Sequence, residues 1–444
     1  MNYENIGLHV PEIFMPGKGT DLCKWSVVAC DQYTSQPQYW QKVKELVSEN
    51  PSTFNLIIPE AYLEDLDHEK AALTIRTRME NYLKDGTLRP QKPGFILVDR
   101  KTSHAPSRKG LIVSLDLEHY DFSADSTSLI RATEGTVIDR LPPRVKIRSQ
   151  APLELPHIMV LIDDPGKTVI EPLFKKDLQK IYDFDLMMNS GHITGYMIDK
   201  EEILDEIADN LAKLADPDTF SAKYQVADKK VLLYAMGDGN HSLATAKSIW
   251  EQMKNSADDK DAIMKHPARY SLVELVNVHD AGLEFEPIHR VVFNVSAEDL
   301  LGEMKAFLEQ RGPAFSYQEC DLKELELFPG KIGNIHQIPF VSNKISGTMT
   351  IKNPLLNLEV GTLQTFLDEY TRSRPEVKID YIHGDDIVTD LGTKPGNIGF
   401  YLPAISKHDL FRTIILDGAL PRKTFSMGNA DEKRFYLECR KISQ

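Results

Sequence analysis

Residues 230–247 hold the strongest local chemical signal in the chain. Val231 to Met236 is an apolar run of the buried-strand type. Gly237, Asp238, Gly239, Asn240 and His241 come next as a tight polar loop. A helix is expected from Ser242, with Leu243, Ala246, Ile249, Trp250 and Met253 on one face. A glycine-containing loop that opens a helix presents backbone N–H groups and the positive end of the helix dipole to an anion. Phosphate is the usual occupant of such a place. Asp238 and His241 add a titratable pair. The competing reading is a capped turn in which Asp238 and Ser242 only satisfy helix amides.

A second signal is cationic. Arg131, Arg140, Arg144, Lys146 and Arg148 lie close together in a chain that is acidic overall. Arginine forks match phosphate oxygens in pairs. Glu134, set among them, can act as a base or hold a metal. The competing reading is a solvated segment with local ion pairs. Three further polar clusters interrupt apolar stretches: Asn189 to His192, His279 to Arg290, and Pro421 to Ser426. None has metal-ligand spacing. Pro165-Gly166-Lys167-Thr168 imitates the tail of a P-loop, but Leu161 stands where the first glycine belongs and a strand is expected to follow.

The elements that must position these groups belong to an ordinary globular chain. It has 444 residues, 41% hydrophobic and 27% charged, which suffices for a large core without disulfides or structural metal. The net charge of −14 argues against a duplex nucleic-acid partner. Cys23, Cys30, Cys320 and Cys439 form no paired motif, as expected for a reducing, cytoplasmic protein. The first residues lack the basic and apolar regions of a signal peptide. The apolar runs Ile158–Ile162 and Val231–Met236 are too short to span a membrane, so no membrane partner is expected.

Periodicity predicts a helix over 61–84 with Leu63, Leu66, Leu73, Ile75, Met79 and Leu83 inward. A second, acidic amphipathic helix is expected over 199–214. Strands are expected at Phe95–Val98 and Gly110–Leu117, and a hairpin from Ile158–Ile162 to Thr168–Leu173. Strands and helices without strict alternation predict an α+β fold, a mixed sheet with flanking helices. The expected organisation is a main domain over 1–310, a small α/β insert over 311–400, and a return to the main domain over 401–444.

Taken together, the clusters resemble the family called domain of unknown function 1015. The family's loop after an apolar strand is matched by Met236 to Ala246, and its arginine–glutamate–threonine segment by Arg131 to Thr136. Its glycine–histidine motif is matched by Gly191-His192, and its proline–histidine–arginine element by Pro287-Ile288-His289-Arg290. A late element is matched by Pro421-Arg422-Lys423-Thr424-Phe425. Asn240 and Ser242 stand where the family has histidine and arginine, and Thr133 where it has histidine. The loop also resembles the ParB/sulfiredoxin superfamily, which includes a free serine kinase. That resemblance implies a ParB/sulfiredoxin-like phosphate-loop core and phosphoryl chemistry, kinase-like or phosphatase-like, on a serine- or phosphoserine-like metabolite.

The resemblance also implies roles for particular residues. Gly239, Asn240, His241 and Ser242 cradle phosphate, while Arg131, Arg140 and Arg290 neutralise it. Glu134 is the base, with His241 and Asp238 beside it in catalysis. His192 and His289 belong to the binding set, and Lys423 and Thr424 close the site. The implied cofactors are a nucleotide, ATP or ADP, and Mg²⁺ held by Asp238. A small phosphorylated molecule is the expected partner. The rival reading is a nucleotide-binding switch without turnover.

Overall fold

Alternate residues along the longest strands face opposite ways, and here both sets are apolar. The computed structural model describes residues 1–135, 141–327 and 333–443. Contacts divide the chain into two units: Met1–Glu284 with Met427–Gln444 (unit 1), and Phe285–Ser426 (unit 2). The second begins earlier and ends later than the insert expected over 311–400, because the strand at His289 and the helix at Lys407 pack within it.

Unit 1 is built on a mixed sheet. Its strands in chain order are β1 (Phe95–Lys101), β2 (Arg108–Asp116), β3 (Tyr120–Asp121), β4 (Ile130–Arg131) and β5 (Met159–Ile162). They continue with β6 (Gln179–Asp185), β7 (His192–Ile198), β8 (Tyr234–Asp238) and β9 (Tyr270–Asn277). Across the sheet the order is β6-β7-β1-β2-β9-β5-β8-β4-β3. β9 with β5, β8 with β4, and β4 with β3 are parallel pairs. The two faces of β1 and β2 divide cleanly between two cores. Phe95, Leu97, Leu111 and Val113 join Leu204, Ile207, Leu243 and Trp250 on one side. Ile96, Val98 and Ile112 join Trp25, Trp40, Ile75 and Met79 on the other. Burial on both faces explains why these strands are continuous apolar runs.

Helices that cover the sheet include α1 (His68–Lys84), α2 (Glu201–Leu214) and α3 (Asn240–Ser256). α2 occupies the expected span and buries Leu204, Ile207, Ala208 and Leu211. α1 starts later than expected, at His68, because the Asp67 carboxylate accepts from the Glu69 and Lys70 N–H groups. Residues Glu60–Asp65 form a separate 3₁₀ helix. The inward residues of α1 are Ala72, Ile75 and Met79, while Leu73 is exposed.

The hairpin expected after Ile162 does not form. The Asp164 carboxylate accepts from the N–H groups of Thr168 and Val169, which closes a loop. The chain then enters a 3₁₀ helix at Glu171–Lys175. β5 pairs instead with β9 and β8.

Unit 2 carries its own six-stranded sheet. In chain order its strands are β10 (His289–Phe293), β11 (Ala314–Glu319), β12 (Ile335–Ser342), β13 (Ser346–Lys352), β14 (Lys378–Ile382) and β15 (Asn397–Phe400). The spatial order is β11-β13-β12-β15-β10-β14. Helices α4 (Ala297–Glu309), α5 (Glu359–Arg372) and α6 (Asp385–Gly392) accompany it. Among the described residues no helix is long and apolar enough to cross a membrane.

Candidate functional site

β8 runs to Asp238, one residue of turn intervenes, and α3 starts at Asn240. The polar loop expected over 237–241 is therefore a single residue, Gly239. Its φ of 81° is left-handed, and a Cβ there would lie 3.1 Å from the Ile158 Cα. Only glycine meets both conditions without strain. Opposite Met159 stands Asp238 and opposite Val160 stands Met236, so Gly237 is an inserted residue in the ladder. Such a bulge re-aims the side chain next to it, here the Asp238 carboxylate.

No side chain caps α3 at Gly239, in contrast to α1 with Asp67 and α4 with Ser296. The capping reading holds for Asp238, which satisfies the amide at the N-cap, whereas the Ser242 hydroxyl turns elsewhere. Asp238 Oδ1 accepts from the Gly239 N–H at 2.9 Å, and Oδ2 lies 3.2 Å from Lys433 Nζ. Burial alone raises the Asp238 carboxyl pKa. The Lys433 ammonium, followed by His157 and the Gly239 N–H, outweighs burial and holds the group below the usual carboxylate range.

Ser242 turns to His157, with Oγ 3.2 Å from Nε2. The other ring nitrogen, Nδ1, lies 2.9 Å from the Tyr436 hydroxyl. Asp31 Oδ2 is 3.6 Å from Nε2. The Tyr436 hydroxyl also meets the Cys30 sulfur at 3.1 Å. Burial pushes the Cys30 thiol up to about 12 and the Tyr436 phenol well above its ordinary value, so both keep their protons. Asp31, His157, Lys433 and Tyr436 were not singled out from sequence. His157 stands immediately before the apolar strand run, a position that signals a strand-end polar residue and nothing more.

Glu134 is half-buried, three residues past the end of β4. β4 and β8 are parallel, with Ile130 opposite Tyr234 and Arg131 opposite Ala235. Arg131 itself does not face an anion. Its guanidinium donates to the carbonyls of Ser128, Lys230 and Val231, and burial pushes its pKa down to about 10. Arg140 lies outside the described residues. The rest of the cationic run is divided among separate carboxylates: Arg144 with Glu60, Lys146 with Glu69, Arg148 with Glu154.

Of the other expected site residues, His192 belongs to unit 1, and His289, Arg290, Lys423 and Thr424 belong to unit 2. His192 begins β7, five strands from β8 in the sheet order, on the order of 20 Å at ~4.8 Å per strand. It bridges Asp183 and Asp185, each at 2.6 Å. In unit 2, His289 accepts from the Leu402 N–H at 3.0 Å and lies 2.9 Å from Asp385. Arg290 is fully buried, donates to Gln364 and to the carbonyls of Ile288 and Arg422, and stacks on Tyr381. Lys423 is exposed with a left-handed backbone, and Thr424 donates to the Pro421 carbonyl.

Mg²⁺ takes oxygen ligands and keeps several waters. The Asp238 carboxylate is instead bound to an ammonium and an amide, a donor set that does not fit a hydrated dication. Among the described residues no group of three or more His, Cys, Asp or Glu can hold a metal ion.

Residues 14–374 match the family described as "Protein of unknown function (DUF1015)". No curated protein matches the chain. Among solved structures, a free serine kinase in complex with AMP aligns over 75% of this chain and 91% of its own, at 10% identity and a TM-score of 0.39. A variant of that kinase in complex with ADP aligns over 75% and 92%, at 10% identity and 0.40. A conserved hypothetical protein from Pyrococcus furiosus aligns over 75% and 95%, at 11% identity and 0.37.

Proposed function

The chain belongs to the DUF1015 family, and from that premise we propose that unit 1 is a kinase-like phosphotransfer enzyme whose phosphate site is the turn from Asp238 to Ser242. The observation that carries this reading is the start of α3: a seventeen-residue helix that opens on a glycine, beside a lysine–aspartate pair and a serine–histidine pair. A helix start of this kind favours an anion through its amides and its dipole. Phosphoryl transfer needs charge neutralisation and positioning more than covalent chemistry. Lys433 supplies the neutralising charge, leaving Asp238 for the phosphate oxygens. Glu134, which follows the strand paired with β8, serves as the base for an incoming hydroxyl. A nucleotide is the donor, and the acceptor suggested by the family resemblance is a serine- or phosphoserine-like metabolite. A core of the ParB/sulfiredoxin kind is part of the same reading.

One observation favours the switch without turnover. Arg131 is bound to carbonyl oxygens, which leaves Lys433 as the cation the structure sets against Asp238. A thermal-shift screen with ATP, ADP, serine and phosphoserine, followed by a turnover assay with each ligand found, separates the two. A ligand that binds only the native state raises the melting temperature by mass action. Binding with product formation supports transfer. Binding with no product under any pairing selects the switch, and no shift with any of these compounds rejects both.

A further inference from the structure

The other hydroxyl side chains of α3 return their protons to the helix itself. Thr245 donates to the His241 carbonyl and Ser248 to the Ala244 carbonyl, four residues back in each case. Ser242 leaves that pattern, and its Oγ meets His157 Nε2 at 3.2 Å. The direction of this hydrogen bond follows the tautomer of the ring. The Tyr436 hydroxyl accepts from the Cys30 N–H at 3.2 Å and meets the Cys30 sulfur at 3.1 Å and His157 Nδ1 at 2.9 Å. In the tautomer in which Nδ1 carries the imidazole proton, Nδ1 donates to the Tyr436 hydroxyl and the hydroxyl donates to the sulfur. Nε2 is then the acceptor, and the Ser242 hydroxyl is the donor. Asp31 Oδ2 lies 3.6 Å from Nε2. His157 is buried, whereas Ser242 is partly exposed. A shielded base thus holds the proton of a hydroxyl that an incoming molecule can reach.

We infer that Ser242 is a nucleophile that accepts the phosphoryl group covalently before it is passed on. The donor is a nucleoside triphosphate. The bond between Ser242 Oγ and the terminal phosphorus forms, and the bond from that phosphorus to the bridging oxygen breaks. The bridging oxygen leaves with its electron pair on the nucleoside diphosphate. The Ser242 proton passes to His157 Nε2 and from there to solvent. His157 is the general base of the step, and Tyr436 is a positioning residue that acts through the ring tautomer. Charge growing on the phosphoryl oxygens falls at the start of α3, where amides and Lys433 oppose it. The identity of the donor rests on the phosphotransfer reading above. The activated serine does not.

The test therefore has two arms on the full-length protein. A fluorophosphonate probe reads the nucleophile alone, by phosphonylation of Oγ with loss of fluoride. Wild type should be labelled at Ser242, located by peptide mass spectrometry, and Ser242→Ala should not. His157→Asn should label at least about 10²-fold more slowly, as expected for loss of a general base. Tyr436→Phe should slow labelling and displace its pH profile, because the tautomer is no longer held. A merely structural role for Tyr436 would not move that profile. In the second arm, ATP labelled in its terminal phosphate and offered without acceptor should leave label on Ser242. Circular dichroism verifies that each variant is folded. Absence of fluorophosphonate labelling at Ser242 overturns the nucleophile. If the probe labels Ser242 and ATP binds but leaves no label, the covalent phosphoryl step is overturned while direct transfer stands. If the probe labels Ser242 and ATP does not bind, the phosphotransfer reading fails and the covalent phosphoryl step with it. The serine then remains a nucleophile toward another electrophile.

Discussion

Glu134, half-buried beyond the end of β4, is the base of the proposed transfer. Glu134→Gln keeps the shape of the side chain but cannot take a proton at neutral pH. If Glu134 is the base, turnover should fall by about 10² to 10⁴ with ligand affinity unchanged. Wild-type turnover in the variant would remove it from the mechanism, and loss of affinity would make it a binding residue. His289 is bound within unit 2. Its Nδ1 accepts from the Leu402 N–H, so its proton sits on Nε2 and points at Asp385. Burial lowers its pKa below the ordinary value of 6.5, against the pull of Asp385, with Arg290 and His383 adding to the lowering. An unfolded chain then binds more protons than the folded one just below 6.5. The contribution of His289 to stability is complete above that pH and is lost as pH falls toward its folded value. An NMR titration of the His289 ring should show a midpoint under 6.5. A midpoint at or above it would contradict this account.

At the scale of elements, the β8–α3 junction depends on one backbone conformation. Gly239 is left-handed and passes close to Ile158. A left-handed conformation costs an L-residue roughly 1–2 kcal/mol, and the 3.1 Å approach adds to it. Gly239→Ala is expected to lower the unfolding free energy of unit 1 by about that amount, read as a lower urea midpoint, and to shift the start of α3. Trp25, Trp40 and Trp250 are the three tryptophans of the chain, and all lie buried in unit 1, so their fluorescence reports on this unit alone. An unchanged midpoint would mean that the backbone relaxes there without strain. The same junction shows how a motif can be legible while its geometry is not. An apolar run, glycines and a helix start are visible in the sequence. The bulge at Gly237 and the one-residue turn arise from how β5 pairs beside β8.

At the scale of the whole molecule, the chain leaves unit 1 at Glu284 and returns at Met427. The returning segment pairs Phe435–Tyr436 with Val27–Val28, and Cys439–Lys441 with strands at Ile13 and Leu153. It brings Lys433 to Asp238 and Tyr436 to His157, so the site is complete only when the last residues have docked. Arg434 anchors the segment. It is buried and pairs with Glu274 at 2.9 Å and with Glu438, which also accepts from Tyr182 at 2.6 Å. Arg434→Met would leave two buried carboxylates without their cation, at a cost of about 3–5 kcal/mol. Tryptophan fluorescence in urea should show unit 1 destabilised by that amount. A change under about 1 kcal/mol would mean that the network is replaceable by apolar packing.

The sequence by itself determined the mixed α+β character, the apolar strands with two buried faces, the α2 span, and the place where a helix start would present its amides. Each of these rests on local periodicity or composition, which neighbouring residues carry between them. Only the tertiary structure decided which side chains stand around that helix start. Ser242 and His157 are 85 residues apart, and His157 and Tyr436 are 279 apart. Pairings at such separations depend on strand order and on the return of the chain end, which leave no periodic trace. The same reason gave the arginines partners within the protein. Arg131 and Arg290 have the residue type that binds phosphate, but the fold buries both. Unpaired carbonyl oxygens within reach claim a guanidinium's donors before any ligand arrives.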